Sequence, residues 1–193
     1  MMDIVFVTNN QNKLTEIKNL VSSDYNILSL NDINFKDEIE ETAITLEGNA
    51  LIKAKHIHSR YGLNCFADDT GLEIDYLNGA PGVFSARYAG PECLAKDNID
   101  KVLSKLKGVQ NRQAKFRTVI ALILDNNEYT FEGDCIGNIS LKEKGKNGFG
   151  YDPIFIPKNF NLSFSQMTQA AKNKISHRAN AVKKLVDFLS INK

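Results

Sequence analysis

The chain has 193 residues, 42% of them hydrophobic and 24% charged, which is ordinary globular usage and enough to bury roughly 70% of the unfolded surface. These values exclude disordered, collagen-like and coiled-coil chains and predict one compact unit, and the lack of any repeat or flexible linker favours one domain with a cleft over two separable ones. With 24 Lys+Arg against 23 Asp+Glu the formal charge is +1, short of the basic surplus of a duplex-binding protein, so any anion site must be local.

Residues 4–7 form a short apolar run that ends in the polar Thr8-Asn9-Asn10-Gln11-Asn12, which predicts a buried strand entering a loop. From Lys13 onward, Leu14, Ile17, Leu20 and Val21 recur at helical spacing. Backbone N–H groups at such a helix start favour a bound anion, and a phosphate fits there. Lys13 in the first turn opposes the helix dipole by ~0.3–1 kcal/mol, a cost that an anion would remove. The stretch is not a P-loop, and the simpler alternative is an Asn-rich turn with Lys13 paired to Glu16 or to the solvent-facing neighbours of Ile17.

Glu38, Glu40 and Glu41 precede a predicted helix over residues 46–61, opened by Glu47 and stopped by Gly62. The acidic stretch is either a solvated loop or the source of one metal ligand. On the helix, Asn49 and Lys53 are i and i+4 and share a face, as a surface pair or as groups aimed into a cleft. Residues 64–68 predict a second buried strand, with Asp68 and Asp69 at its exit. At a strand end the chain can turn both carboxylates toward one site, where like charges need a counter-ion and magnesium suits oxygen ligands. The competing reading is a turn in which Asp69 caps Gly71 or Leu72.

The glycines and prolines between Asn78 and Pro91 predict an ordered loop. A helix over 92–106 follows, then strands over 114–124 and 129–136 joined at Asp125-Asn126-Asn127. Phe149 lies between two glycines, either free to stack on a nucleobase or plugging the core. A short strand is expected at 154–156 and a closing helix over 176–189 with Ser176 as N-cap candidate. His177 and Arg178 at its start are donors suited to the 6-oxo group of a purine, although a plain surface helix start is the simpler account.

Cys65, Cys93 and Cys135 show no metal or redox spacing and are expected to be buried thiols in a reducing compartment. Apolar runs are too short to span a bilayer, and Asp3 precedes any signal-peptide core, so a cytoplasmic protein is expected.

Taken together, Thr8 to Lys13, Ala67-Asp68-Asp69-Thr70-Gly71-Leu72, Gly79-Ala80-Pro81-Gly82, Ser85-Ala86-Arg87-Tyr88-Ala89-Gly90, Phe149-Gly150-Tyr151-Asp152-Pro153 and Ser176-His177-Arg178 closely resemble the inosine triphosphate pyrophosphatase family. The resemblance implies an α/β fold with an elongated mixed sheet and flanking helices, two lobes around a nucleotide-binding cleft, a single domain over residues 1–193, magnesium dependence and a homodimer. It implies hydrolysis of ITP, dITP and XTP to the monophosphate and pyrophosphate, with no stable nucleic-acid or membrane partner. Carried over by position, it makes Asp69 the general base and a metal-site residue, with Asp68 and Glu41 as further metal ligands. Thr8, Asn9, Asn10, Gln11, Asn12 and Lys13 become the phosphate loop, Thr70 a substrate contact, and Lys53 and Arg87 further cations near the phosphates. Phe149, Gly150, Tyr151 and Asp152 fall on the base-binding stretch, Lys172 on a further substrate lysine, and His177 and Arg178 on a purine-reading pair. Departures from the family pattern are Asn9 in place of glycine and Ala170-Ala171 before Lys172. The rivals are a pyrophosphatase for modified pyrimidine nucleotides and a non-catalytic nucleotide-binding module.

Overall fold

The computed structural model describes residues 2–21 and 25–191. Among them the strands are β1 (Met2–Phe6), β2 (Tyr25–Leu28), β3 (Cys65–Ile74), β4 (Pro81–Gly82), β5 (Gln113–Leu124), β6 (Asn127–Ile139) and β7 (Phe155–Pro157). The α-helices are α1 (Gln11–Leu20), α2 (Leu46–Tyr61), α3 (Ala95–Lys105), α4 (Gln169–Lys172) and α5 (His177–Ile191). The sheet is mixed, in the order β2-β1-β3-β5-β6-β7, with β4 on β3. The β1–β2 and β1–β3 pairings are parallel, and β3–β4 and β6–β7 are antiparallel. This is the expected mixed α/β fold.

The chain divides into two compact units. The first comprises Met1–Asp69, Thr118–Gly133 and Arg178–Lys193, and the second Thr70–Arg117 and Asp134–His177. In the first unit, alternate residues of each strand go to opposite faces. Ile4, Phe6, Phe66, Ile120, Leu122 and Leu124 pack with Leu14 and Ile17 of α1 and with Ala181, Val182, Leu185 and Leu189 of α5. Val5, Val7, Cys65, Ala67, Ala121 and Ile123 pack with Ala50, Ala54 and Ile57 of α2. Helices therefore cover both faces, which is why these strands read as continuous apolar runs. The second unit has its own core around Leu72, Ile99, Val102, Phe116, Phe155 and Phe164.

Helix α2 ends where expected, with Gly62 as a left-handed C-cap. Strand β6 runs from Asn127 to Ile139, and the β5–β6 connection is a two-residue turn with Asp125 and Asn126 both at positive φ, 50° and 66°. That is the backbone that matches strand twist. Among the described elements without a counterpart in the sequence expectations are β2, β4, α4 and a 3₁₀ turn at Phe164–Gln166. Each spans four residues or fewer, too short for a periodic signal. Strand β3 runs six residues beyond the expected end at Asp68.

That extension depends on Gly71. A Cβ there would lie 2.6 Å from the carbonyl oxygen of Gly82 on β4, and Gly82 is backbone that cannot swing aside. Gly71→Ala is expected to lose about 1–3 kcal/mol by overpacking, measured as a lower denaturant midpoint at unchanged slope.

Candidate functional site

Because β3 continues through them, Asp68 and Asp69 point to opposite faces of the sheet. Both are buried. Asp68 shares the parity of Phe66 and meets the helices of that face: Oδ1 accepts from Lys13 Nζ on α1 at 2.9 Å and Oδ2 from Arg178 Nε on α5 at 3.2 Å. Asp69 shares the parity of Ala67 and meets α2, where Asn49 Nδ2 donates to Oδ2 at 3.2 Å and Lys53 Nζ lies 3.8 Å from Oδ1. This corrects the expectation of two carboxylates turned toward one site at a strand end, and equally the alternative of an Asp69-capped turn.

The two carboxyls differ electrostatically for the same reason. Burial alone would push the Asp68 carboxyl up, but the charges of Lys13, Arg178 and Lys53 overcome it and hold the group well below the usual carboxylate range. At Asp69 burial prevails over Lys53 and Lys13, helped by the negative charges of Glu41 and Asp68, and the carboxyl is raised. One aspartate is a locked counter-ion and the other is disposed to take a proton.

Magnesium takes hard oxygen ligands. Around Lys53 Nζ the structure collects the Glu41 carboxylate at 2.6 Å, the main-chain carbonyl of Asp68 at 2.7 Å and the Asp69 carboxylate at 3.8 Å. An ammonium surrounded by oxygen donors marks a place where a small hard cation fits, so Glu41 and Asp69 suit the metal. The Asp68 side chain meets Lys13 and Arg178 as their counter-ion. Among the described residues no group of three or more His, Cys, Asp or Glu is gathered as a ready metal cage.

In the phosphate-loop stretch, Asn10 is the N-cap of α1, and its Oδ1 accepts from the N–H groups of Asn12 and Lys13 at 3.0 and 3.2 Å. The Asn10 N–H in turn donates to Thr8 Oγ1. Two of the N–H groups expected to face an anion are thus capped, while Asn9, Gln11 and Asn12 are exposed. Lys13 does not pair with Glu16. Glu16 is buried and holds Arg178, a partnership that spacing does not reveal because it joins residues 162 apart in sequence.

The second unit gathers a different group. Lys172 Nζ donates to Asp152 Oδ2 at 2.7 Å, both residues being almost fully buried, and lies 4.9 Å from the centre of the Phe149 ring. The Phe149 N–H also donates to Asp152 Oδ2. Gly148 has φ +78°, and a Cβ there would collide with the Asp152 carboxylate, which explains a glycine before the aromatic. Gly150 completes the turn, and the Tyr151 hydroxyl donates to the Ser85 carbonyl at 2.9 Å. Thr70 is half-buried in β3, and the Arg87 guanidinium lies over the Phe84 ring.

His177 and Arg178 open helix α5. His177 is buried and stacks on Phe116 with ring centres 4.5 Å apart, whereas the Arg178 guanidinium, 1% exposed, is committed to Asp68 and Glu16. Cys93 is exposed, which corrects the expectation of three buried thiols, whereas burial pushes the Cys65 and Cys135 thiols up to about 12 and leaves them inert. Among the described residues no helix is long and apolar enough to cross a membrane.

The chain is 52% identical over 190 residues to a dITP/XTP pyrophosphatase of Porphyromonas gingivalis, covering 98% of each chain. It is 50% identical over 192 residues to a dITP/XTP pyrophosphatase of Flavobacterium johnsoniae, covering 100% of both. The solved structure of the Staphylococcus aureus Ham1 protein superposes with a TM-score of 0.90 at 38% identity, covering 99% of this chain and 100% of that one. The Ham1 family profile matches residues 4–188, so by sequence and by fold the chain belongs to the Ham1 family.

Proposed function

We propose that this chain hydrolyses the triphosphates of deaminated purine nucleosides, ITP, dITP and XTP, to the monophosphate and pyrophosphate, the activity its relatives are named for. The observation that carries the reading is the buried carboxylate of Asp69, held by Asn49 Nδ2 at 3.2 Å and lying 3.8 Å from the ammonium of Lys53. A protein that only binds phosphates gains nothing from such a carboxylate, but a hydrolase needs a proton acceptor. Asp69 takes the proton of the attacking water as the new O–P bond forms and the P–O bond to pyrophosphate breaks. Lys13 and Lys53 stabilise the charge gathering on the pyrophosphate, with Thr8, Asn9, Asn10, Gln11 and Asn12 on the phosphate side. Magnesium, held by Glu41 and Asp69, would neutralise phosphate oxygens and polarise the bond under attack.

Phe149 offers a stacking face, backed by Gly150 and Tyr151. Lys172 is a further substrate cation, and the donors His177 and Arg178 suit a 6-oxo acceptor, where the amino group of adenine would set donor against donor. Phe149→Ala is expected to lower kcat/KM for inosine and adenosine triphosphates alike, by roughly 5- to 150-fold, because stacking is blind to the exocyclic groups. The same reading takes residues 1–193 as one two-lobed domain, with Thr70 and Arg87 as further substrate contacts. It makes the protein a cytoplasmic homodimer without nucleic-acid or membrane partners, and three cysteines free of disulfides support a reducing compartment.

A nucleotide panel with separate readouts for pyrophosphate and orthophosphate tests the activity. Pyrophosphate from ITP, dITP and XTP, with little from ATP, is the expected result. Preference for modified pyrimidines, release of orthophosphate, or binding without turnover would each overturn it.

A further inference from the structure

Asn49 is fully buried on α2, and its carboxamide faces two ways. Oδ1 accepts the backbone N–H of Ala43 at 2.9 Å, and Nδ2 donates to Asp69 Oδ2 at 3.2 Å. A backbone N–H can only donate, so the Ala43 bond settles which end of the amide is oxygen and directs the NH₂ group at Asp69. Ala43 lies two residues after Glu41, so a single side chain ties the segment bearing Glu41 to the carboxylate of Asp69. Lys53, one turn further along the helix, meets both carboxylates from the same face.

We propose that Asn49 is a positioning residue for the pyrophosphohydrolase reaction: its carboxamide sets the rotamer of Asp69 and, through Ala43, holds the Glu41 segment against the same site. The inference rests on the activity proposed above. A buried amide with one committed end is well suited to this, because it cannot flip without abandoning the Ala43 N–H, and so Asp69 is held in one orientation whether or not substrate is present.

Asn49→Asp separates the two bonds. An aspartate at position 49 still accepts from Ala43, but it sets a carboxylate against Asp69. Made in the full chain, this variant should lose roughly 10- to 100-fold in kcat with KM little changed, the scale for removing a group that orients a catalytic or metal-binding side chain. Its melting temperature should fall through carboxylate repulsion. Adding Asp69→Asn exchanges acid and amide between the two positions, and the double variant should recover the melting temperature while remaining inactive. Wild-type turnover in Asn49→Asp, or a lowered melting temperature that persists in the double variant, would overturn the proposal. If Asn49→Asp fails to fold, Asn49→Ser carries the same kcat-against-KM comparison. A wild-type protein that releases no pyrophosphate would remove the activity reading and with it the role, while the melting temperatures still decide the contact.

Discussion

Replacing Arg178 with methionine is expected to lower the unfolding free energy by about 3–5 kcal/mol, the cost of stripping one partner from a buried ion pair. The guanidinium is 1% exposed and sits between Asp68 and Glu16, themselves buried. Methionine fills much of the volume, so the loss would come from two carboxylates left in low dielectric, not from a cavity. At the size of this chain the melting temperature should drop by roughly 6–20 °C. Acid should act on the wild type through the same cluster. The Asp68 carboxyl is depressed in the folded state, so its contribution is complete above the unfolded value of about 3.9 and is lost as pH falls through the folded one. A melting temperature for Arg178→Met within a degree or two of wild type would show that the cluster contributes little.

Asp69→Asn should behave in the opposite way. Turnover of inosine triphosphate is expected to fall at least ~10²-fold, the usual scale for losing a general base, while folding survives. The physical reason is the direction of the shift at Asp69. Burial raises its carboxyl, so holding it ionised near neutral pH costs folding free energy, and a neutral isostere that keeps the shape removes that cost. The melting temperature near pH 7 should therefore be unchanged or higher. A variant that lost both activity and stability would point to a structural carboxylate, and one with near-normal turnover would remove Asp69 from the catalytic role.

The sequence by itself determined the elements whose signals are local and long. Leu46–Tyr61 was legible end to end because apolar residues at helical spacing run into a left-handed glycine. The apolar runs of β1 and β5 were legible as buried strands because helices cover both faces of the sheet there. Family membership was also legible, since it rests on short motifs in a fixed order that the Ham1 profile covers from residue 4 to 188. What only the tertiary structure decided is the pairing of charges. Asp68 and Asp69 are neighbours in sequence, yet the continuation of β3 past them to Ile74 sends one to α1 and α5 and the other to α2. That continuation depends on Gly71 meeting the backbone of Gly82, a contact between strands that no periodicity encodes. Glu16 and Arg178 find each other across 162 residues for the same reason: a buried charge takes whichever partner the packed helices bring within reach, and desolvation makes that choice binding.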